Sequence, residues 1–395
     1  MNDSYDVVII GGAMMGSAAA WFLSARPDFK GRILVVERDP TYAHSSTMHS
    51  NSCIRQQFSH PLNVQISQFG ADYIQNLQAN LGQDSRVPNI QIQNFGYLYL
   101  ADSADYAAAL RDAADVQRAL GVPTRLLDPD ELAQEFPFYN LDGIIAASWN
   151  TKDEGYWDSG TVFEWWRRKA RETGVTYIQD DVTSITRDGA RVTGVTLASG
   201  ARINCGALIN AAGPRGARVA QMAGLDLPVE PRKRYTWVIS AQDPLPRDLP
   251  LTVDPSGIHM RQDGPQTYMI GSKGFTDPTV DFDDFTMDHS LWQDHVWPLL
   301  ATRIPQFEAV KIVTEWAGHY AYNVIDQNAI IGTHPDVDNF YFMNGFSGHG
   351  LQQSPAMGRG IAELICTGRY ETLDLSEFGF ERLANGHITA ERAVI

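Results

Sequence analysis

The first forty residues constrain this chain more than any other stretch. Asp6-Val7-Val8-Ile9-Ile10 is an unbroken apolar, β-branched run, the pattern of a strand covered on both faces. It leads into Gly11-Gly12-Ala13-Met14-Met15-Gly16, a GxGxxG turn with alanine at the second glycine. Residues 14–24 read as a helix and residues 32–37 (RILVVE) as a second buried strand. Such a βαβ unit lays a pyrophosphate on the helix N-terminus, where unpaired N–H groups and the helix dipole favour anions. The first glycine makes the tight turn. Glu37, closing the second strand, stands where a carboxylate accepts hydrogen bonds from ribose hydroxyls. Ala13 adds one methyl where the backbone approaches the pyrophosphate. The unit therefore predicts a dinucleotide site built from Gly11, Gly12, Ala13, Met15, Gly16 and Glu37. The only near repeat of the motif, Ala211-Ala212-Gly213-Pro214-Arg215-Gly216, lacks the first glycine and a following acid, so the chain holds one dinucleotide.

Beyond this unit the texture changes. Residues 62–81 read as a helix, 96–101 as an alternating strand, 104–120 and 160–173 as helices, and 183–186 with 192–197 as a hairpin. Residues 207–213 form a buried strand ending in small residues, and 228–324 are strand-rich and aromatic. A strand at 340–343, a glycine-rich turn and a helix at 356–366 restart the first architecture. This predicts an α/β fold: a discontinuous, Rossmann-like dinucleotide-binding domain (1–90, 140–227 and 325–395). Into it is inserted a mostly antiparallel α+β substrate domain (91–139 and 228–324). At 395 residues the chain exceeds the size of one hydrophobic core, which agrees.

Charge excludes some classes of function. The net charge of −16 repels phosphate backbones and anionic lipid surfaces, so neither nucleic acid nor a membrane surface is an expected partner. No apolar run approaches the ~20 residues that span a bilayer. Cys53, Cys205 and Cys366 are too few and too far apart for a disulfide framework, and an apolar strand follows Met1 within five residues. These features predict a reducing, cytoplasmic setting.

The C-terminal run NGFSGHGLQQSPAMGRGIAELI (residues 344–365), taken with VVIIGGAMMG, VVERDP, SSTMHS, GYWDSG and INAAG, resembles the D-amino-acid oxidase superfamily of flavoproteins. The similarity is greatest to its branch of sarcosine oxidases, glycine oxidases and dimethylglycine dehydrogenases, and it spans nearly the whole chain. The resemblance implies FAD, with further contacts from Arg38, Ser45, Ser46, Thr47, His49, Val182, Ala212, Gly213, Gly348, His349, Gly350, Leu351 and Gln352. A helix starting near Ser354 would aim its N-terminus at the pyrimidine edge of the reduced flavin. It also implies oxidation of a C–N bond of an amine or N-substituted amino acid by hydride transfer to flavin N5, giving an imine that hydrolyses.

That chemistry needs no protein nucleophile or metal, and the sequence shows no nucleophile elbow, HExxH or cysteine–histidine cluster. In such relatives an arginine at the place of Arg55 holds the substrate carboxylate, a task suited to a guanidinium fork; pairing to a structural acid is the alternative. Their second carboxylate anchor, a lysine, is replaced by Gln352. The lysine that speeds oxygen reduction is replaced by Met269, with Lys273 nearby. Either oxygen or an electron-accepting protein or quinone thus remains open as acceptor. His349 either shapes the pocket or is structural. His319, Tyr320 and Tyr322 either cage an amine or pack. His259, Tyr235 and Trp237 are candidates for the pocket wall. His49 stands where dehydrogenase relatives attach FAD covalently; a non-bonded contact is the alternative. The acidic run 281–284 reads as a solvated loop. Two rival functions remain: an NAD-dependent dehydrogenase, and a non-catalytic assembly or scaffold protein that keeps FAD.

Overall fold

Alternation along a few strands decides the architecture. The computed structural model describes residues 2–392. In the first sheet, strands Val337–Asn344, Arg202–Asn210, Ser4–Ile10, Ile33–Glu37 and Thr176–Gln179 lie side by side and parallel. Ile330–His334 adds an antiparallel edge, and the hairpin Val182–Asp188/Arg191–Leu197 pairs back onto Arg202–Asn210. Val7, Ile9, Val35 and Ile209 turn to one face and are covered by helices Met14–Ser24, Pro61–Gln75, Ser159–Glu172 and Gly350–Thr367. Val8, Ile10, Leu34, Val36 and Leu208 turn to the other, under Gly216–Met222 and the hairpin. Burial on both faces is why these strands read as continuous apolar runs.

The first and last of these helices pack closely because their contact residues are small. A Cβ on Gly358 would sit 2.7 Å from that of Ala18. The dinucleotide turn is thereby clamped by chain from both ends of the sequence.

The second sheet runs Val310–Asn323, Val229–Ala241, Thr267–Ser272, Ile258–Gly264, Leu251–Val253, Tyr97–Ala101, Ala146–Asn150 and Arg125–Leu127. Its pairs are antiparallel except Leu251–Val253 with Tyr97–Ala101. Trp237, Ile239, Ile258, Met260 and Ile270 point into its core. The intervening Arg234, Thr236 and His259 face a cavity shared with the first sheet.

Several sequence expectations shift. Ala146–Asn150, assigned above to the dinucleotide domain, pairs with Tyr97–Ala101 in the second sheet. The helix expected at 62–81 ends at Gln75, with one further turn at Leu77–Asn80. The helix after the glycine-rich turn begins at Gly350, not near Ser354 or Ala356, and runs through Pro355. Proline there leaves the Leu351 carbonyl without its intrahelical N–H, and the Ser354 hydroxyl donates to that carbonyl at 2.8 Å. Trp237, expected on a pocket wall, is fully buried against Trp292 and Tyr235. Among the described residues, no helix is long and apolar enough to cross a membrane.

Candidate active site

A cavity of about 290 Å³ lies between the two sheets. At its dinucleotide end, Gly11 adopts φ +94°, and a Cβ there would lie 2.6 Å from the Ala211 carbonyl oxygen. Gly16 does not line the cavity. Its role is packing, since a Cβ there would overlap the Gly11 carbonyl oxygen at 1.8 Å. Gly12 also lies behind the wall, donating its N–H to Glu37 at 2.7 Å. The other Glu37 oxygen accepts from the Asp39 N–H at 2.9 Å. Burial raises the Glu37 carboxyl above its ordinary pKa, partly offset by these two N–H donors. Ala13 is the N-cap of the first helix and supplies no capping side chain; Thr47 meets only the Met14 N–H, at 3.2 Å. An uncapped helix N-terminus facing a cavity is an anion seat. Ala13, Met15, Arg38, Ser45, Ser46, Thr47, His49, Val182, Ala212 and Gly213 all line this cavity.

The opposite wall is the Gly348–Gln352 turn. Gly348 has φ +95°, and a Cβ on it would lie 2.4 Å from the Tyr320 ring. His349 is the N-cap of the Gly350–Thr367 helix without a side-chain capping bond, so this second helix N-terminus also faces the cavity, with Gly350 and Leu351 in its first turn. Two uncapped N-termini joined by one cavity fit a flavin dinucleotide: one for the pyrophosphate, one for the electron-rich ring.

Arg55 lines the cavity and is buried. Its Nη2 lies 3.1 Å from His349 Nε2, and its Nε donates to the Gln57 carbonyl at 3.3 Å. Its guanidinium stacks 4.3 Å over Phe58. Gln352 Oε1 accepts the Arg55 N–H at 2.7 Å. The residue standing in for a lysine therefore braces the arginine's own backbone. Two buried carboxylates hold the following segment: Glu154 accepts the N–H groups of Gln56 and Gln57 and the Gln57 side-chain amide, and Glu391 accepts those of Ser59 and His60. Sequence reading missed Glu154, whose neighbour in space is invisible in local pattern. Burial pushes its carboxyl up to about 7.

His259 forms the far wall, its Nε2 taking a hydrogen bond of 2.8 Å from Asn51. Burial first, then Arg234, Arg261 and Arg55, drive its pKa down to about 3, so it is neutral. His319 and Tyr320 both line the cavity. His319 Nε2–H donates to the Asp284 carbonyl at 2.8 Å, while Tyr320 lies under the Arg234 guanidinium at 4.4 Å. Tyr322 is outside the lining. Met269 is too: its sulfur sits 3.4 Å from the Arg261 guanidinium, which donates to it. Lys273 is exposed, and among the described lining residues there is no lysine. The acidic run 281–284 is a solvated loop whose Phe282 and Asp283 also line the cavity.

A parallel sheet with a glycine turn under an uncapped helix, and a second sheet closing the cavity, define a dinucleotide-dependent oxidoreductase. Residues 6–364 match the DAO family of FAD dependent oxidoreductases, and this chain belongs to that family. The cofactor is FAD, which removes the NAD reading. FAD-dependent oxidoreductase domain-containing protein 1 of Xenopus laevis is 39% identical over 99% of this chain and 85% of its own length. Sarcosine oxidase subunit beta of Rhodobacter capsulatus is 24% identical over 98% and 90%. The crystal structure of L-proline dehydrogenase from P. horikoshii superposes with a TM-score of 0.84 at 25% identity, covering 98% of this chain and all of the other.

Proposed function

We propose that the chain oxidises a C–N bond of an amine or N-substituted amino acid. The observation that carries this is Arg55, a buried cation on the cavity wall beside His349 and the Gly348–Gln352 turn. FAD, when bound, would supply the two-electron acceptor for hydride from the carbon beside nitrogen, and the imine product would hydrolyse. The protein's part is to bind and orient. Arg55 holds the substrate carboxylate, and Gln352 and Glu154 fix the arginine. Neutral His259 adds no charge against an amine. The first sheet serves the cofactor and the second the substrate. Relatives named for sarcosine and L-proline oxidation support a secondary amine. Three unpaired cysteines support a reducing setting.

Anaerobic addition of amines and amino acids tests the reading. Bleaching of the flavin by an N-substituted amino acid is expected, and Arg55→Ala should weaken its binding by roughly 2–5 kcal/mol with flavin retained. If no amine bleaches the flavin, a non-catalytic, FAD-retaining role stands instead.

A further inference from the structure

The segment between Ser272 and the helix after Leu291 leaves the second sheet, crosses to the first, and returns. We propose that its residues 277–286 are a clasp that closes the dinucleotide end of the cavity over bound FAD, with Asp283 as the latch.

The base of this segment is tied firmly to its own sheet. Asp277 takes both terminal nitrogens of buried Arg234, at 2.7 and 3.1 Å, and its carbonyl accepts from Arg232. On the far side of the tip, Lys233 reaches Asp284 at 2.7 Å and His319 Nε2–H donates to the Asp284 carbonyl at 2.8 Å, so the tip proper is Phe282–Asp283. The tip is held differently. Asp283 crosses to Arg215 at 2.5 Å and Arg38 at 3.4 Å, residues that follow strands of the first sheet and line the cavity. Phe282 lies under the Arg215 guanidinium at 5.1 Å. Phe285 stacks on His319 at 4.3 Å and meets His44 at 4.8 Å and His49 at 5.7 Å. Asp283 is 66% exposed, whereas Asp277 is 22% exposed. Exposed ion pairs are weak and salt-screened, buried bidentate ones much less so. The tip therefore opens before the base. With the tip detached, Phe282 and Asp283 leave the cavity wall beside Arg38, and a dinucleotide can pass. Closed, the same carboxylate bridges two cations on the first sheet.

The test follows FAD release from the holoprotein as flavin absorbance in a filtrate, at low salt and in about 0.5 M sodium chloride. Asp283→Asn should release FAD roughly three- to tenfold faster than wild type at low salt, with the gap narrowing at high salt. Phe285→Ala should also release faster, with its salt dependence kept. If acid leaves wild-type flavin on the protein, the comparison is made in a His49→Ala background. An equal low-salt rate for Asp283→Asn, or a gap that salt does not narrow, overturns the proposal. Chymotrypsin gives a second measurement on the unmutated chain. Cleavage at Phe282 and Phe285 should be faster in the apoprotein than in the holoprotein, and equal rates overturn the clasp.

Discussion

Glu154 is a carboxyl with no exposure, surrounded by N–H donors, and its raised pKa has a signed consequence. The folded state binds this proton more tightly than the unfolded chain, whose value is near 4.5. Its contribution is therefore most favourable below about pH 4.5 and declines as pH rises through about 7. The full change is on the order of 3 kcal/mol. Glu154→Gln should flatten the fall in urea stability between pH 5 and 7; a slope as steep as that of wild type would exclude Glu154 as its source. His49 raises a second question at the same scale. Its Nδ1 lies 3.1 Å from the Ser45 carbonyl, which can only accept, so Nδ1 carries the proton and the lone pair is at Nε2. Burial lowers its pKa, favouring this neutral, nucleophilic form. Gly318 leaves room for it, since a Cβ there would lie 2.6 Å from that of His49. If the flavin is covalent, acid precipitation should carry yellow colour into the pellet, and His49→Ala should release it to the supernatant. Colour kept by the mutant would place the bond elsewhere.

At the level of elements, the turn at Gly348 is where backbone conformation and packing coincide. Both the left-handed φ and the contact with Tyr320 forbid a side chain. Gly348→Ala should lower the flavin-to-protein absorbance ratio severalfold and destabilise by at least ~2 kcal/mol. Full flavin content would show that the turn tolerates displacement. This turn and the GGAMMG unit were legible in the sequence because each is a local pattern of strand, glycine and helix. Membership of a sheet is not local. Ala146–Asn150 has no motif that says which strand it will join, and its partner Tyr97–Ala101 lies far off in sequence. The start of the Gly350–Thr367 helix was placed too late: the helix runs through Pro355 because a hydroxyl one residue earlier takes over the orphaned carbonyl. The acidic run is a loop with exposed aspartates, but the contacts that Phe282 and Phe285 make were not legible from its composition.

The whole molecule carries a charge of −16, and its cavity wall, among the described residues, carries no lysine. The first favours cationic partners over anionic ones at long range. The second removes the cation expected to help oxygen accept electrons. Reduced protein should therefore be reoxidised faster by an artificial dye than by air, and a cationic dye should lose its advantage over an anionic one as salt is added. Stopped-flow reoxidation in air that outpaces the dyes would overturn this. The packing of the Gly350–Thr367 helix on the first has a consequence for synthesis of the chain. A ribosome delivers the phosphate-binding turn at the start of synthesis, but its counterpart, residues 337–367, emerges some three hundred residues later. A nascent chain interrupted before that point holds half a cradle, with Ala18 and its neighbours bare. Cofactor loading is therefore expected only once residues 337–367 have been made, and a chain truncated before them should purify without yellow colour.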